Sequence, residues 1–174
     1  MRYQTEGVTM WFDRRLAMRP SAIHGIGTFA TEAISAGERV IWVSGGIVYT
    51  SDDWRSGRVQ LAPDQYNEAQ VGDDLFVATP KSLYYYVNHS CAPNMLNRVV
   101  WRDIEAGEEI TTDYAYGEAS PTYLLEPCSC GSPICRGRVT GNDWQLPELQ
   151  QRYRGYFTPH VEELIRAMNG SSDS

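Results

Sequence analysis

Four cysteines constrain the fold of this chain more than any other feature, because three of them are crowded on one short segment. Cys128, Cys130 and Cys135 lie within residues 127–137, a stretch rich in glycine and proline, whereas Cys91 stands alone within residues 88–94. Zinc in structural sites takes four tetrahedral ligands, so three thiolates on one loop leave room for a fourth. If Cys91 is that fourth ligand, a metal ion fastens the later loop to the segment around Cys91.

Two disulfides are the alternative arrangement of four cysteines. Residues 1–10 lack the apolar segment of a secretion signal, and the sequence has no run of 18 apolar residues that could cross a membrane. We therefore expect a cytoplasmic protein without membrane contact. Thiols stay reduced in the cytoplasm, where clustered cysteines more often bind metal than pair with each other. This reasoning favours one bound Zn²⁺ over two disulfides.

The charge of the chain bears on its partners. The 174 residues are enough for one domain with a hydrophobic core, and 22 acidic residues against 15 Lys and Arg give a net charge of −7. Such a surface disfavours contact with a phosphate backbone, so we expect no direct binding of nucleic acid. It suits a basic protein or peptide, although mild acidity also serves solubility alone.

The residue pattern predicts a mainly β fold (β+α) in which short strands alternate with turns. We expect an N-terminal arm or a short edge element over residues 1–16, and a hairpin around Ser44-Gly45 formed by residues 39–43 and 46–49. Residues 51–71 favour a mostly helical or irregular insert. We expect a glycine turn followed by a short strand within residues 21–30. Further strands are expected where β-forming residues concentrate: 75–78, 83–87, 96–101 and 110–112.

Two other patterns concern turns and helices. Segments 33–40 and 103–110 both read Ile-x-Ala-Gly-Glu-x-Val/Ile, which predicts two similar turns with a left-handed glycine. Residues 141–174 form a helical extension, with a short helix at 147–153 and a longer one that begins at Thr158-Pro159 and ends in a frayed tail over 169–174. The apolar stripe of the longer helix is Val161, Leu164, Ile165 and Met168. We expect His24 and His160 on the surface.

Four motifs in a fixed order carry a family resemblance. They are Gly25-Ile26-Gly27, the Asn-His-Ser-Cys-Ala-Pro-Asn of residues 88–94, the Gly-Glu-Glu-Ile-Thr-Thr-Asp-Tyr of residues 107–114, and the cysteine loop with Arg136-Gly137. Together they resemble a SET domain followed by a post-SET zinc loop, the fold of protein-lysine methyltransferases that use S-adenosylmethionine. We expect a compact, free-standing member, which resembles the bacterial type. Taken singly, each motif is also compatible with an ordinary structural role without any function.

The resemblance implies an architecture and a set of site residues. It implies a SET domain at 17–117, a β-clip of small sheets with a pseudoknot that brings Asn88-His89 beneath Asp113-Tyr114, and a post-SET loop at 118–140. It implies Tyr114 and Tyr116 as catalytic residues, the former aimed at the methyl group and the latter lining the lysine channel. The implied ligand sets are S-adenosylmethionine at Gly25, Ile26, Gly27, Asn88, His89 and Tyr114, and one structural zinc at Cys91, Cys128, Cys130 and Cys135.

Three positions depart from the family pattern. Members often carry an aromatic residue around the amine where this chain has Val43, Asn97 and Thr112. Trp42, Tyr49, Tyr66 or Tyr116 could fill the space from another direction. Otherwise the pocket is wider, which favours a higher methylation state, a different acceptor or weakened activity.

Three functions therefore stay open. The first is transfer of a methyl group to a lysine amine of a protein by in-line displacement. This reaction needs a neutral amine, although lysine has a pKa of about 10.4, and a desolvated channel would lower that pKa. The second is the same chemistry on a small-molecule amine or another non-protein acceptor. The third is a non-catalytic binding module that keeps the metal site.

Overall fold

The computed structural model describes residues 2–5 and 7–170, the first four as backbone only. The strands are β1 Arg2–Thr5, β2 Val8–Phe12, β3 Leu16–Pro20, β4 Ile26–Ala30, β5 Ile41–Gly45, β6 Ile47–Tyr49, β7 Tyr66–Gly72, β8 Leu75–Pro80, β9 Asn88–His89, β10 Met95–Leu96, β11 Val99–Val100, β12 Glu109–Thr112, β13 Leu124–Leu125 and β14 Val139–Thr140. The helices are α1 Ser51–Arg55, α2 Pro147–Arg152 and α3 Pro159–Gly170. Three 3₁₀ turns complete these elements: Leu83–Tyr86 (the Tyr84 turn), Tyr114–Tyr116 (the Tyr114 turn) and Asp143–Gln145.

The strands form small separate sheets, which confirms the predicted mainly β fold class. Two sheets have three strands, in the orders β1-β2-β5 and β6-β8-β7, and β10-β11 and β13-β14 are two-stranded. The fifth sheet has four strands in the order β3-β4-β12-β9 and contains the parallel pair β9 and β12. Thr111 lies opposite Asn88, and Thr112 lies opposite His89. This register brings Asn88-His89 beside Asp113-Tyr114, as the resemblance implies.

Within the described residues, the segment expected as an N-terminal arm or edge element contains two paired strands, of which only β1 lies at the edge of its sheet. Strand β2 lies between β1 and β5, and its alternate residues Val8, Met10 and Phe12 are buried in the largest core cluster. A strand with one buried face shows this period of two. Residues 1 and 6 of the expected arm lie outside the described residues.

Three other expectations from local sequence are wrong in whole or in part. Strands β5 and β6 do not pair with each other, since β5 pairs with β2 and β6 pairs with β8. Gly45 and Gly46, with φ of +80° and +137°, instead turn the chain from one sheet to another. The insert at 51–71 is helical or irregular up to residue 65, as expected, but its last part forms most of a strand, β7. Residues 83–86 form the Tyr84 turn where a strand was expected.

Other local predictions are confirmed. Gly37 and Gly107 have φ of +88° and +90°, and the two similar segments meet at a bridge between Ile34 and Ile104. Helices α2 and α3 lie where expected, and the apolar stripe of α3 packs into a second core cluster with Ala115, Tyr116 and Tyr153. Helix α3 continues through residue 170, whereas 171–174 of the expected frayed tail lie outside the described residues.

The two histidines that were expected on the surface differ in their burial. His24 is exposed as predicted, but His160 is buried, because the first turn of α3 packs against the second core cluster. Over the described residues, we find no helix with the length and apolar character that crossing a membrane requires.

Candidate functional site

Asn88 fastens the first glycine motif to the centre of the molecule. Its buried side-chain amide donates to the backbone oxygens of His24 (3.1 Å) and Ile26 (3.3 Å) and to a Glu109 carboxylate oxygen (2.7 Å). Strand β9 positions Asn88 for these contacts, because β9 lies next to β12, which carries Glu109. Asn88 therefore lies beside the Gly25-Ile26-Gly27 motif, although more than 60 residues separate the two in sequence.

Glycine is required at positions 25 and 27 for different physical reasons. Gly25 has φ of +48°, a conformation that favours glycine, and a Cβ there would meet open space. At Gly27 a Cβ would collide with the side chain of Glu109. The Glu109 carboxylate is held in place by the Ser21 hydroxyl, which donates to it at 2.8–2.9 Å. The missing side chain at Gly27 is thus explained by Glu109, whereas the glycine at position 25 is explained by its positive φ and borders open space.

His89 joins the cysteine cluster to Tyr114. Its Nδ1 accepts a hydrogen bond from the Tyr114 backbone N–H (3.2 Å), so Nε2 carries the proton and donates to the Cys91 sulfur at 3.3 Å. Burial lowers the pKa of His89 to about 4, and the ring is neutral at pH 7. Both ring nitrogens are occupied, which leaves the backbone of this residue for any ligand.

Tyr114 contacts Val87 and His89, the residues on either side of Asn88. It begins the Tyr114 turn directly after β12 and Asp113, and its hydroxyl donates to the Val87 backbone oxygen at 3.2 Å. Its ring lies 5.1 Å from the His89 ring and 6.2 Å from the Tyr123 ring, measured between centroids. Burial raises the pKa of Tyr114 to about 12, so the phenol keeps its proton at neutral pH.

A cavity of about 650 Å³ lies on one side of Tyr114. Val43, Asn97 and Thr112, the three positions that depart from the family pattern, all line it. Thr112 is buried, and its hydroxyl oxygen has no hydrogen-bond partner among the described residues. Of the site residues expected from sequence, the cavity walls include Tyr114 and Tyr116, while Gly25 to Gly27, Asn88 and His89 lie elsewhere in the described chain.

The sequence did not identify Tyr85 and Tyr123 as cavity walls, nor did it identify Tyr84. The Tyr84 hydroxyl lies 2.6 Å from the Tyr116 hydroxyl, and both rings line the cavity. Burial raises the pKa of Tyr116 well above its usual value. Of the four residues proposed to fill the space, only Tyr116 does so: Trp42 is 48% exposed, Tyr49 belongs to a different core cluster, and Tyr66 packs against that cluster. The sequence feature that could have identified Tyr84 is its position shortly before the Asn88-His89 motif of β9.

The four cysteines come together as predicted, and none of them forms a disulfide. Their sulfur atoms all lie within 4.8 Å of one another, and a tetrahedral zinc with bonds of about 2.3 Å requires sulfurs about 3.8 Å apart. Backbone N–H groups of Arg136 and Gly137 donate to the sulfurs of Cys91 and Cys135, each at 3.3 Å. Burial raises the pKa of the Cys91 thiol, so a thiolate there requires a nearby cation. This cluster could hold a metal ion.

An ion pair links the cysteine loop to the Tyr114 turn. The Asp113 carboxylate is fully buried and accepts two hydrogen bonds from the Arg136 guanidinium, at 2.7 and 2.8 Å. It also accepts from the Tyr153 hydroxyl (2.9 Å), and Arg136 Nε donates to Asp143 at 2.8 Å. Sequence reasoning placed Arg136 in a motif without giving it a role. The pair holds the residue before Tyr114 against both the cysteine loop and the C-terminal extension.

These features define the class of protein that the motif order indicates: a β fold of small sheets with Asn88-His89 and Asp113-Tyr114 side by side. The family model for the SET domain matches residues 25–115. The chain belongs to the SET domain family.

Curated relatives agree with this assignment. The chain is 34% identical over 140 residues to "Histone-lysine N-methyltransferase, H3 lysine-4 specific" of Schizosaccharomyces pombe, which covers 71% of this chain and 15% of that protein. It is 33% identical over 145 residues to "Histone-lysine N-methyltransferase TRX1" of Oryza sativa, covering 74% and 14%. It is 31% identical over 156 residues to "Histone H3-lysine(4) N-trimethyltransferase ATX1" of Arabidopsis thaliana, covering 79% and 14%. The chain thus spans about a seventh of the length of these relatives.

Proposed function

We propose that the protein is a methyltransferase that uses S-adenosylmethionine and acts on a lysine amine of a protein. The observation that carries this proposal is that Tyr114 lines a cavity rich in tyrosines and also contacts Val87 and His89, the residues on either side of Asn88. The names of the curated relatives, all histone-lysine N-methyltransferases, support the same reaction. When bound, S-adenosylmethionine supplies an electrophilic methyl group on a sulfonium.

On the cofactor side, the Gly25-Ile26 backbone and the segment of Asn88-His89 would hold that donor. The open space beside Gly25 and the exposed side chain of Ile26 fit a ligand there. Asn88 fixes the loop from His24 to Ile26, and the occupied His89 ring fixes the backbone of β9. These residues act by preorganisation, which keeps reacting atoms aligned for an in-line displacement.

On the acceptor side, the cavity would take a neutral amine. Tyr84 and Tyr116 share one hydrogen bond, so their remaining hydroxyl lone pairs and proton are available to an amine. The protonated phenol of Tyr114 would hold the amine at the boundary between the two sides. Water exclusion by the aromatic walls favours the uncharged amine over the ammonium form.

The carboxylates of the cavity suit a basic protein segment. Glu68 of β7 and Glu118, which follows the Tyr114 turn, both line the cavity. They agree with the net charge of −7 in favouring a lysine within a Lys- and Arg-rich sequence. We also propose one structural zinc at the four cysteines, and the boundaries 17–117, 118–140 and 141–174 for the SET domain, the post-SET loop and the extension.

A small-molecule amine is the second candidate acceptor. The cavity volume of about 650 Å³ falls within the range of small-molecule sites, and the short side chains of Val43, Asn97 and Thr112 help to widen it. The same space would fit a lysine that carries more than one methyl group.

Incubation with isotope-labelled S-adenosylmethionine tests these alternatives. A basic protein fraction and a pool of small amines are offered separately, and mass spectrometry identifies what gains a methyl group. We expect label on protein lysines with the wild-type chain and a strong loss with Tyr114→Phe. Label only on small amines would favour the second candidate. Cofactor binding by calorimetry without any labelled product would refute the transferase.

A further inference from the structure

An arginine occupies a turn position that favours glycine. Strands β10 and β11 form a hairpin in which Leu96 pairs with Val99, so Asn97 and Arg98 are its two turn residues. Their φ values are +45° and +65°. In such turns asparagine is favourable at the first position and glycine at the second. Local folding therefore does not explain the arginine at position 98.

The side chain of Arg98 is half-buried and lines the cavity beside Tyr114. Its guanidinium carbon lies 5.0 Å from the centroid of the Tyr84 ring. Within the described part of the chain, its guanidinium has neither a hydrogen bond nor an ion pair, and its buried Nε has no partner. This is unusual where acidic residues outnumber basic ones, and Arg136, by contrast, pairs with two carboxylates.

Among the described residues, Arg98 forms no ion pair with the carboxylates that line the cavity with it. The titratable groups that line the cavity with Arg98 are Glu68, Tyr84, Tyr85, Tyr114, Tyr116, Glu118, Tyr123 and His160. Each carboxylate has a hydrogen-bond donor other than Arg98: Glu68 accepts from the Tyr49 hydroxyl at 2.7 Å, and Glu118 accepts from the Ser120 backbone N–H at 2.8 Å. Burial also raises the pKa of Glu118. Arg39 adds a second cation near the hairpin, donating to the Asn97 backbone oxygen at 3.5 Å.

We propose that Arg98 is a positioning residue whose fixed positive charge makes the acceptor amine less basic inside the cavity. This inference rests on the proposed methyl transfer. Arginine stays protonated in proteins, and a like charge nearby disfavours an ammonium. The acceptor ammonium releases its proton to solvent, and its nitrogen lone pair then forms the bond to the methyl carbon. The carbon–sulfur bond breaks at the same time, and its electron pair stays on sulfur.

The dependence of the transfer rate on pH tests the role of Arg98. Methyl transfer from labelled S-adenosylmethionine is measured from pH 6 to pH 10 with poly-L-lysine and a small primary amine as probes. In Arg98→Met and Arg98→Gly we expect the midpoint of the rate profile to move up by about one pH unit, because the ammonium form is no longer repelled. The rate on the alkaline plateau should change little, and Arg98→Lys should restore the wild-type midpoint.

Several controls separate charge from packing. Arg98→Gly relieves the left-handed backbone, so it should fold even if Arg98→Met does not. Arg39→Met removes a charge near the same hairpin but outside the cavity and should leave the midpoint unchanged. The inference is overturned if the wild-type protein transfers methyl groups but the midpoint stays unmoved in both neutral variants. It is also overturned if Arg98→Lys does not restore the wild-type midpoint. If the wild-type protein transfers no methyl group to any probe, the proposed function itself fails.

Discussion

The buried pair of Arg136 and Asp113 gives a prediction whose size follows from the structure. Arg136→Met removes the two hydrogen bonds of 2.7 and 2.8 Å that compensate a fully buried carboxylate. Removing one partner of a buried ion pair costs about 3–5 kcal/mol, because the remaining charge is left uncompensated. At about 2–4 °C per kcal/mol for a chain of this size, the melting temperature should fall by about 6–20 °C.

The assay is thermal and urea unfolding with zinc in excess, so that metal content stays constant between variants. Arg138 offers a matched control in the same loop: its side chain is 61% exposed and lies 3.7 Å from Glu126. Arg138→Met should change the free energy of unfolding by less than about 1 kcal/mol. Arg136→Lys should fall between the two, since it keeps the charge but loses the paired geometry.

A double variant sharpens the test. Adding Asp113→Leu to Arg136→Met removes the uncompensated charge and should recover part of the lost stability. If Arg136→Met unfolds within 1 kcal/mol of the wild type, the pair does not hold the Tyr114 turn and the reasoning from its burial is wrong.

Three further predictions concern the metal site, the cofactor side and the core. Cys91→Ser should lower zinc content, measured by elemental analysis, and destabilise the loop of residues 127–137, because metal binding is coupled to folding; a full zinc complement would contradict the four-cysteine site. Asn88→Ala should weaken binding of S-adenosylmethionine in calorimetry, because it releases the loop at Ile26, and unchanged affinity would exclude that role. Phe12→Ala should cost about 3–5 kcal/mol of stability in urea unfolding, while Thr9→Ala on the exposed face costs little; equal effects would remove β2 from the core.

Local motifs predicted the residues of the candidate site better than they predicted which strands pair with each other. The parallel pairing of β9 with β12 places Asn88 and His89 beside Asp113 and Tyr114, and the cysteines converge as the sequence indicates. The cysteines are identified by their chemistry, because clustered thiolates suit a common metal ion. Asn88, His89 and Tyr114 are identified through the order of the family motifs, since each of them alone is compatible with an ordinary structural role.

Strand partners and cavity walls depend on contacts that no local pattern contains. Gly45 and Gly46 suit a hairpin as well as a change of sheet, and only the pairing of β5 with β2 decides between them. The β-forming residues of the Tyr84 turn favour a strand locally, yet the turn packs against β3 and β4, and Thr28 donates to the Leu83 backbone oxygen at 2.9 Å. The same tertiary packing turns Tyr84 into the cavity and hides its role from sequence reasoning.

The contacts of Asp113 limit how this chain can be recombined with its relatives. One carboxylate joins the Tyr114 turn to Arg136 in the cysteine loop and to Tyr153 beyond α2. A chimera with its crossover between residues 115 and 135 would combine an Asp113 from one parent with an arginine and a tyrosine fitted to another. Productive exchanges of the C-terminal third should therefore carry all three residues together, and libraries that split them should be depleted in folded clones.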